Sequence, residues 1–245
     1  MSSLPEVTLF VKAGADGKRY GACPFCQRIF MILLIKAKNQ QLRFKVATVN
    51  VAKPPEDFKK VSLRRVPAIA HNDNATDNVD DIVQYLDEAF PTHTLNYDNS
   101  EAEKACKDIF QKFCFFIKEV SKDSSLLVAE LNKLNNYLLS AQTKFLCADH
   151  VTHLDCEVLP KLHHARVASK TLKGFDFPPN MDGLWRYLKN AYNEESFVKS
   201  CPSNQEITIH WADKPETPSL SLEQHAYLTK SEPQYTLTIP SENAK

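Results

Sequence analysis

The chain has 245 residues, 43% apolar and 24% charged, a composition that fits a soluble globular protein of two packed units. Five glycines against 14 prolines, with no glycine-rich phosphate loop of either common spacing, exclude the Rossmann and P-loop nucleotide folds. Formal charge sums to zero but is polarised: residues 1–72 carry 13 Lys+Arg against 4 Asp+Glu, and the remainder offsets that surplus. A basic block of this kind serves nucleic acid, anionic lipid or a small anion alike.

The stretch 7–11 is apolar but lacks a basic flank, so no signal peptide is expected. The longest uninterrupted apolar run, 29–35, is far shorter than the roughly 20 residues of a spanning helix. Seven cysteines at irregular spacings argue for free or catalytic thiols in a reducing compartment rather than a disulfide framework.

In chain order, 7–12 reads as a strand and is followed by a loop holding Gly14, Gly17 and Gly21. Next come Cys23-Pro24-Phe25-Cys26 and a helix running to about residue 38. A second strand is expected at 44–51, a short helix at 56–62, and a third strand led in by Val66-Pro67. A helix at 77–89 carries Asp77, Asp80 and Asp81 at its positive end. After a linker near 90–99, only helical periods appear: 101–120, 126–139, 154–172, 184–192 and 205–211. Thr152 with Asp155 and Ser203 with Glu206 have the spacing of capping boxes, and Pro160 predicts a kink. From Lys214 onward the Pro, Ser and Thr content reads as an extended tail with one turn of helix near 222–228. The expected fold is an α/β domain over 1–92, a βαβ half followed by a short sheet and a closing helix, then an all-helical domain over 98–213 and a tail over 214–245.

The chemistry resides in the CxxC pair. A thiol at a helix N-terminus feels the unpaired backbone amides, which favour thiolate and lower its pKa. Cys23 has that placement, Pro24 suits the first helical turn, and Cys26 is close enough to attack a mixed disulfide at Cys23. Thiol redox chemistry is one reading of this pair; a zinc site and an inert pair are the others.

Cys147, His150, His153 and Cys156 have metal-ligand types, yet the capping pattern already accounts for that stretch, and no metal is expected. His163 and His164 point two ways around a helix, one packed and one wet. Cys106 and Cys114 read as small core hydrophobes. Trp185, Tyr187 and Tyr192 read as interhelical packing, and nucleic acid is not an expected partner.

Several stretches together resemble the chloride intracellular channel proteins, which share the fold of omega-class glutathione transferases. They are Phe10-Val11-Lys12-Ala13-Gly14, Gly21 through Arg28, Thr76-Asp77, Leu159 through His163, Trp185-Arg186-Tyr187-Leu188 and Cys201-Pro202-Ser203. The resemblance implies an α/β thioredoxin-like N-terminal domain with a cis proline at Pro67, an all-α C-terminal domain, and glutathione as ligand or cosubstrate, with the reactive thiol at Cys23. Pro24 and Phe25 would flank the ligand, the backbone of Val66 before Pro67 would pair with its cysteinyl part, and Thr76 and Asp77 would meet its γ-glutamyl end. It also implies a cytoplasmic, monomeric form that converts, on anionic membrane lipid, to an oligomeric chloride-conducting channel.

In that form Lys12 and Arg28 would line the conduction path, and residues 24–46, from Pro24 at the helix mouth to Val46 in the second strand, would enter the bilayer. Two departures stand out: Cys26 adds a second thiol where many relatives keep one, and the acidic loop common before Lys144 is nearly absent. Three functions of different class therefore stay open: the dimorphic channel, a glutathione-dependent oxidoreductase using Cys23 and Cys26, and a non-catalytic scaffold of the same fold.

Overall fold

A computed structural model describes residues 4–91 and 95–240. Four strands form one sheet in the order β2-β1-β3-β4: β1 (Glu6–Lys12), β2 (Arg43–Val49), β3 (Ala68–His71) and β4 (Asn74–Thr76). β1 runs parallel to β2 and antiparallel to β3, and β3 runs antiparallel to β4. The crossover from β1 to β2 is α1 (Pro24–Lys38), as a parallel pair requires. Alternation along β1 divides its side chains between two cores. Val7, Leu9 and Val11 join the main core, whereas Phe10 faces α2 (Glu56–Lys60) and meets Phe58 edge-to-face at 5.3 Å.

The helix expected at 77–89 begins two residues later, as α3 (Val79–Ala89). Asn78, not Asp77, is its cap, accepting from the backbone N–H of Asp80 at 2.9 Å and Asp81 at 3.3 Å. The long helix expected at 101–120 is two, α4 (Ser100–Cys106) and α5 (Ile109–Ile117), separated at Lys107 and Asp108. There follow α6 (Ser125–Ala141), α7 (His153–Lys173), α8 (Asp182–Tyr192), the unanticipated short α9 (Glu195–Ser200), α10 (Asn204–Ala212) and α11 (Leu222–Lys230). α7 runs unbroken through Pro160.

The two units meet where α1, with Ile29, Met31, Ile32 and Leu33 fully buried, packs on β1, β2 and α3 and also on α7 and α9. Lys36 of α1 is buried too; its ammonium pairs with Asp87 at 2.9 Å and donates to the carbonyl of Phe90 at 2.7 Å. His153 of α7 approaches the same Asp87 carboxylate at 2.8 Å.

Three expectations change here. His163 and His164 are both buried, because α7 has neighbours on both faces: His163 shares a hydrogen bond with Tyr192 at 3.1 Å, and His164 accepts from the Trp211 indole at 3.2 Å. Ser203 caps α10 by accepting from the backbone N–H of Glu206, but the Glu206 carboxylate reaches across to the backbone N–H of Ala15 at 3.1 Å instead of closing a capping box. Gly14 makes that approach possible, since a Cβ there would lie 2.5 Å from a Glu206 oxygen.

The third change concerns the tail, which is docked. α11 forms with a complete capping box, and the following chain lies over the start of α10: Asn204 N–H donates to the Gln234 carbonyl at 2.8 Å, Gln205 Nε2 donates to the Glu232 carbonyl at 2.6 Å, and Leu237 and Ile239 pack on the core.

The buried histidines give the fold an acid limit. Burial, aided by the Arg166 charge, pushes His163 down to about 3. Burial, with Lys12 and Lys214, pushes His210 down to about 3. An unfolded histidine titrates near 6.5. Below that pH the unfolded chain takes up protons that the folded chain refuses, so the stability is present above pH 6.5 and falls as pH falls toward 3. At about 1.4 kcal/mol per unit per group, the two together remove about 4 kcal/mol between pH 7 and pH 5. Urea unfolding midpoints at the two pH values measure this loss, and equal midpoints would contradict it.

Candidate functional site

Cys23 is the N-cap of α1, with extended backbone and Pro24 as the first helical residue. The proline lacks an N–H that would go unpaired there anyway, and the next two amides remain directed at the sulfur. The Cys26 thiol donates to Cys23, the backbone N–H groups of Cys26 and Phe25 add to it, and the Lys12 charge lies nearby. Against the opposing effect of burial, these bring Cys23 down to about 7. Burial, then the Cys23 sulfur, pushes Cys26 well above the ordinary thiol range. The pair is therefore asymmetric, with Cys23 the more readily ionised thiol and Cys26 the protonated donor beneath it.

Val66, Pro67 and Thr76, which the resemblance assigned to a ligand, lie at one end of the sheet. The Val66-Pro67 peptide is cis. Ala68 pairs with Phe10 in the β1–β3 register, so Val66 and Pro67 lie beside the Lys12 end of β1, from which the chain passes to Cys23. Thr76 ends β4 opposite Ile69, at that same end. The Asp77 carboxylate accepts from the backbone N–H of Arg64 at 2.8 Å and of Arg65 at 3.0 Å. Burial acts against the ionised form, but these bonds and the Arg65 charge outweigh it and hold Asp77 below the ordinary carboxylate range. The Asp77 carboxylate is thus held by the chain at 64–65, and neither it nor Val66, Pro67 or Thr76 lines the cleft that opens at Cys23.

A cleft of about 350 Å³ opens at Cys23, with Pro24, Phe25, Phe110 and Trp211 among its walls. Cys114, partly buried and packed against the main core, also lines it. Lys118, His210 and Lys214 also line it, and none of these three was singled out in the sequence. No local pattern marked them, since Lys118 caps the end of α5, His210 is in α10 and Lys214 lies past that helix's end. Lys12 Nζ lies 3.0 Å from His210 Nδ1.

Arg28 takes no part in this cleft; its guanidinium is tied to Glu157 of α7 at 3.2 Å. A larger cavity of about 460 Å³ lies behind Phe110, between α4, α5 and α7. Its thiol, Cys106, donates to the Ala102 carbonyl at 2.7 Å and is pushed up to about 12 by burial, so it offers no nucleophile. Among the described residues no group of three or more His, Cys, Asp or Glu side chains is placed to hold a metal ion. Tyr187 donates to Asp155 and the Arg166 guanidinium stacks 4.8 Å over Trp185, so these aromatics serve packing.

Residues 24–46 form α1, a turn and the first four residues of β2. Among the described residues no helix is long and apolar enough to cross a membrane.

Residues 5–92 match the family described as the CLIC-like N-terminal domain. The chloride intracellular channel exl-1 of Caenorhabditis elegans is 36% identical over 241 residues, covering 96% of this chain and all of that protein. The solved CLIC homologue EXC-4 of the same nematode superposes with a TM-score of 0.85 at 28% identity, over 97% of this chain and 95% of that one. Chlamydomonas reinhardtii dehydroascorbate reductase shares the fold, with a TM-score of 0.71 at 24% identity over 86% and 98% of the two chains. A trimeric glutathione transferase of Leishmania, TDR1, matches at 0.62 and 20% over 84% of this chain and 48% of that one. The thioredoxin-like sheet, the helical unit behind it and a relative matched along its whole length agree, and the chain belongs to the chloride intracellular channel family.

Proposed function

We propose that this protein is a glutathione-dependent thiol–disulfide oxidoreductase acting through Cys23. The observation that supports this most directly is the lowered Cys23 thiol beside the protonated Cys26, at the mouth of α1 and in an open cleft. The Cys23 thiolate attacks one sulfur of a disulfide, that S–S bond breaks, and the departing thiolate takes a proton from solvent. Cys26 then expels the second product thiol and leaves a Cys23–Cys26 disulfide that two glutathione thiols reduce in turn, or one glutathione thiolate displaces that product to leave a glutathione adduct at Cys23 that a second glutathione thiolate breaks. Two glutathione thiols are consumed per disulfide, yielding two product thiols and oxidised glutathione. Peptide mass mapping after exposure to oxidised glutathione tests the reading: a glutathione adduct at Cys23 is expected, and an adduct confined to other cysteines would refute it.

Family membership favours a second reading, in which the monomer inserts residues 24–46 into anionic membrane and assembles to conduct chloride. Insertion as one helix requires residues 39–46 to leave their turn and strand, and Ile29, Met31, Ile32 and Leu33 to leave a core worth roughly 1.5–3 kcal/mol each. The Lys36–Asp87 and Arg28–Glu157 pairs must also break. Insertion is therefore conditional and should increase at acidic pH, where the buried histidines weaken the fold. Vesicle flotation with anionic lipid is expected to rise from pH 7 to pH 5, and bilayer reversal potentials should shift toward weaker anion preference in Lys12→Ala and Arg28→Ala. Absence of vesicle binding at any pH, or currents indifferent to both substitutions, would dismiss it.

A further inference from the structure

The walls of the Cys23 cleft hold Lys118, His210 and Lys214 but no carboxylate. Lys214 Nζ sits 5.1 Å over the Trp211 ring, and among the described residues no acidic side chain is within ion-pairing distance of it. Among the described residues Lys118 pairs only with the rim carboxylate of Glu216, at 3.7 Å, and that partner is 72% exposed. Behind them the Lys12 ammonium donates to His210 Nδ1, which fixes the neutral ring with its proton on Nε2. Two lysines thus face a partly enclosed space, with Lys12 behind His210 and, among the described residues, one solvated counter-charge, while Phe25, Phe110 and Trp211 supply apolar walls.

We infer that the acceptor held opposite Cys23 is a small disulfide carrying a carboxylate, oriented by Lys214, Lys118 and the His210 Nε2–H. This rests on the oxidoreductase reading above. A carboxylate about one side-chain length from the attacked sulfur would be held by the lysines while the S–S bond lies toward Cys23, and an ammonium in the same place would be repelled. Lys214 and Lys118 are then specificity-determining residues.

The test uses the full chain and three disulfides of similar skeleton: anionic 3,3′-dithiodipropionate, neutral 2-hydroxyethyl disulfide and cationic cystamine. For each, kcat/KM is divided by the uncatalysed rate with glutathione. The anionic compound should exceed the neutral one by roughly tenfold at low salt, with the cationic one lowest, and the spread should narrow as salt screens the charges. Lys214→Gln and Lys118→Gln should lower the anionic-to-neutral ratio by roughly threefold to tenfold, and Lys214→Arg should retain it.

Equal normalised rates in the parent protein, or a ratio unmoved by Lys214→Gln, would overturn the inference. So would a rise in KM for glutathione common to all three disulfides, because the lysines would then be serving glutathione itself. If none of the three is reduced in the presence of glutathione, the oxidoreductase reading falls first and takes this inference with it. A selective loss of the anionic compound alone in Lys214→Gln and Lys118→Gln is the result that supports it.

Discussion

Cys23→Ser should reduce glutathione-dependent turnover of 2-hydroxyethyl disulfide to background, a loss of roughly a thousandfold or more, because a hydroxyl neither ionises near neutrality nor forms the mixed disulfide. Cys26→Ala should retain turnover, since glutathione can resolve the adduct, but it removes the thiol hydrogen bond that contributes most to lowering Cys23. The midpoint of Cys23 alkylation against pH should therefore move up from about 7 toward the ordinary thiol range. Iodoacetamide at pH 6 provides the check on the assignment: faster labelling of Cys26 than of Cys23 would reverse the roles of the two thiols. The two substitutions together separate the nucleophile from the group that tunes it.

The largest structural effect is expected at Asp155, at the start of α7. One carboxylate oxygen accepts from the backbone N–H of Leu146 and the Tyr187 hydroxyl, both at 2.9 Å. The other accepts from the Thr152 backbone N–H at 2.9 Å and the Thr152 hydroxyl at 2.7 Å. The residue is fully buried, so water cannot replace it. Asp155→Ala leaves several buried donors without an acceptor at roughly 1–3 kcal/mol each, and a total near 4 kcal/mol is expected. That corresponds to a fall of roughly 10 °C in Tm for a chain of this size. Thr152→Ala removes one donor and one cap, so about 1 kcal/mol should go. A double-mutant cycle should show the two residues coupled, and an Asp155→Ala protein within about 1 kcal/mol of the parent would mean the capping box does not hold the helical unit together.

The reactive half of the site was legible in the sequence because it is local. Strand, Cys23-Pro24-Phe25-Cys26 and helix are contiguous, and the helix-mouth amides that stabilise the thiolate follow from three residues of chain. The Thr152 and Asp155 box was legible for the same reason, since all its spacing lies within one turn. The recognition half was not. Lys12 and His210 are 198 positions apart, and Lys118 follows the end of α5 while Lys214 follows the end of α10. No periodicity in one segment records what another segment brings to it.

By itself the sequence determined the alternation of β1, the amphipathic helices, the capped starts of α7 and α10, the cysteine pair at a helix mouth, and the motifs of the family. Tertiary structure decided how those pieces use their polar groups. Helical geometry points His163 and His164 in different directions, but only the neighbours of α7 determine that both directions are dry. Ser203 and Glu206 have capping-box spacing, yet the Glu206 carboxylate is drawn to Ala15 because Gly14 leaves room for it. Arg28 has the sequence context of a site residue and is instead tied to Glu157 across the boundary between the sheet and the helices. The tail alternates apolar and polar residues over 235–239, and it is ordered where Leu237 and Ile239 meet the core and the side-chain amides of Asn204 and Gln205 supply the hydrogen bonds that a sheet neighbour would otherwise give. The reason is common to all four: local propensity sets backbone form and the direction of each side chain, whereas burial, pKa and partner depend on which distant surface occupies that direction.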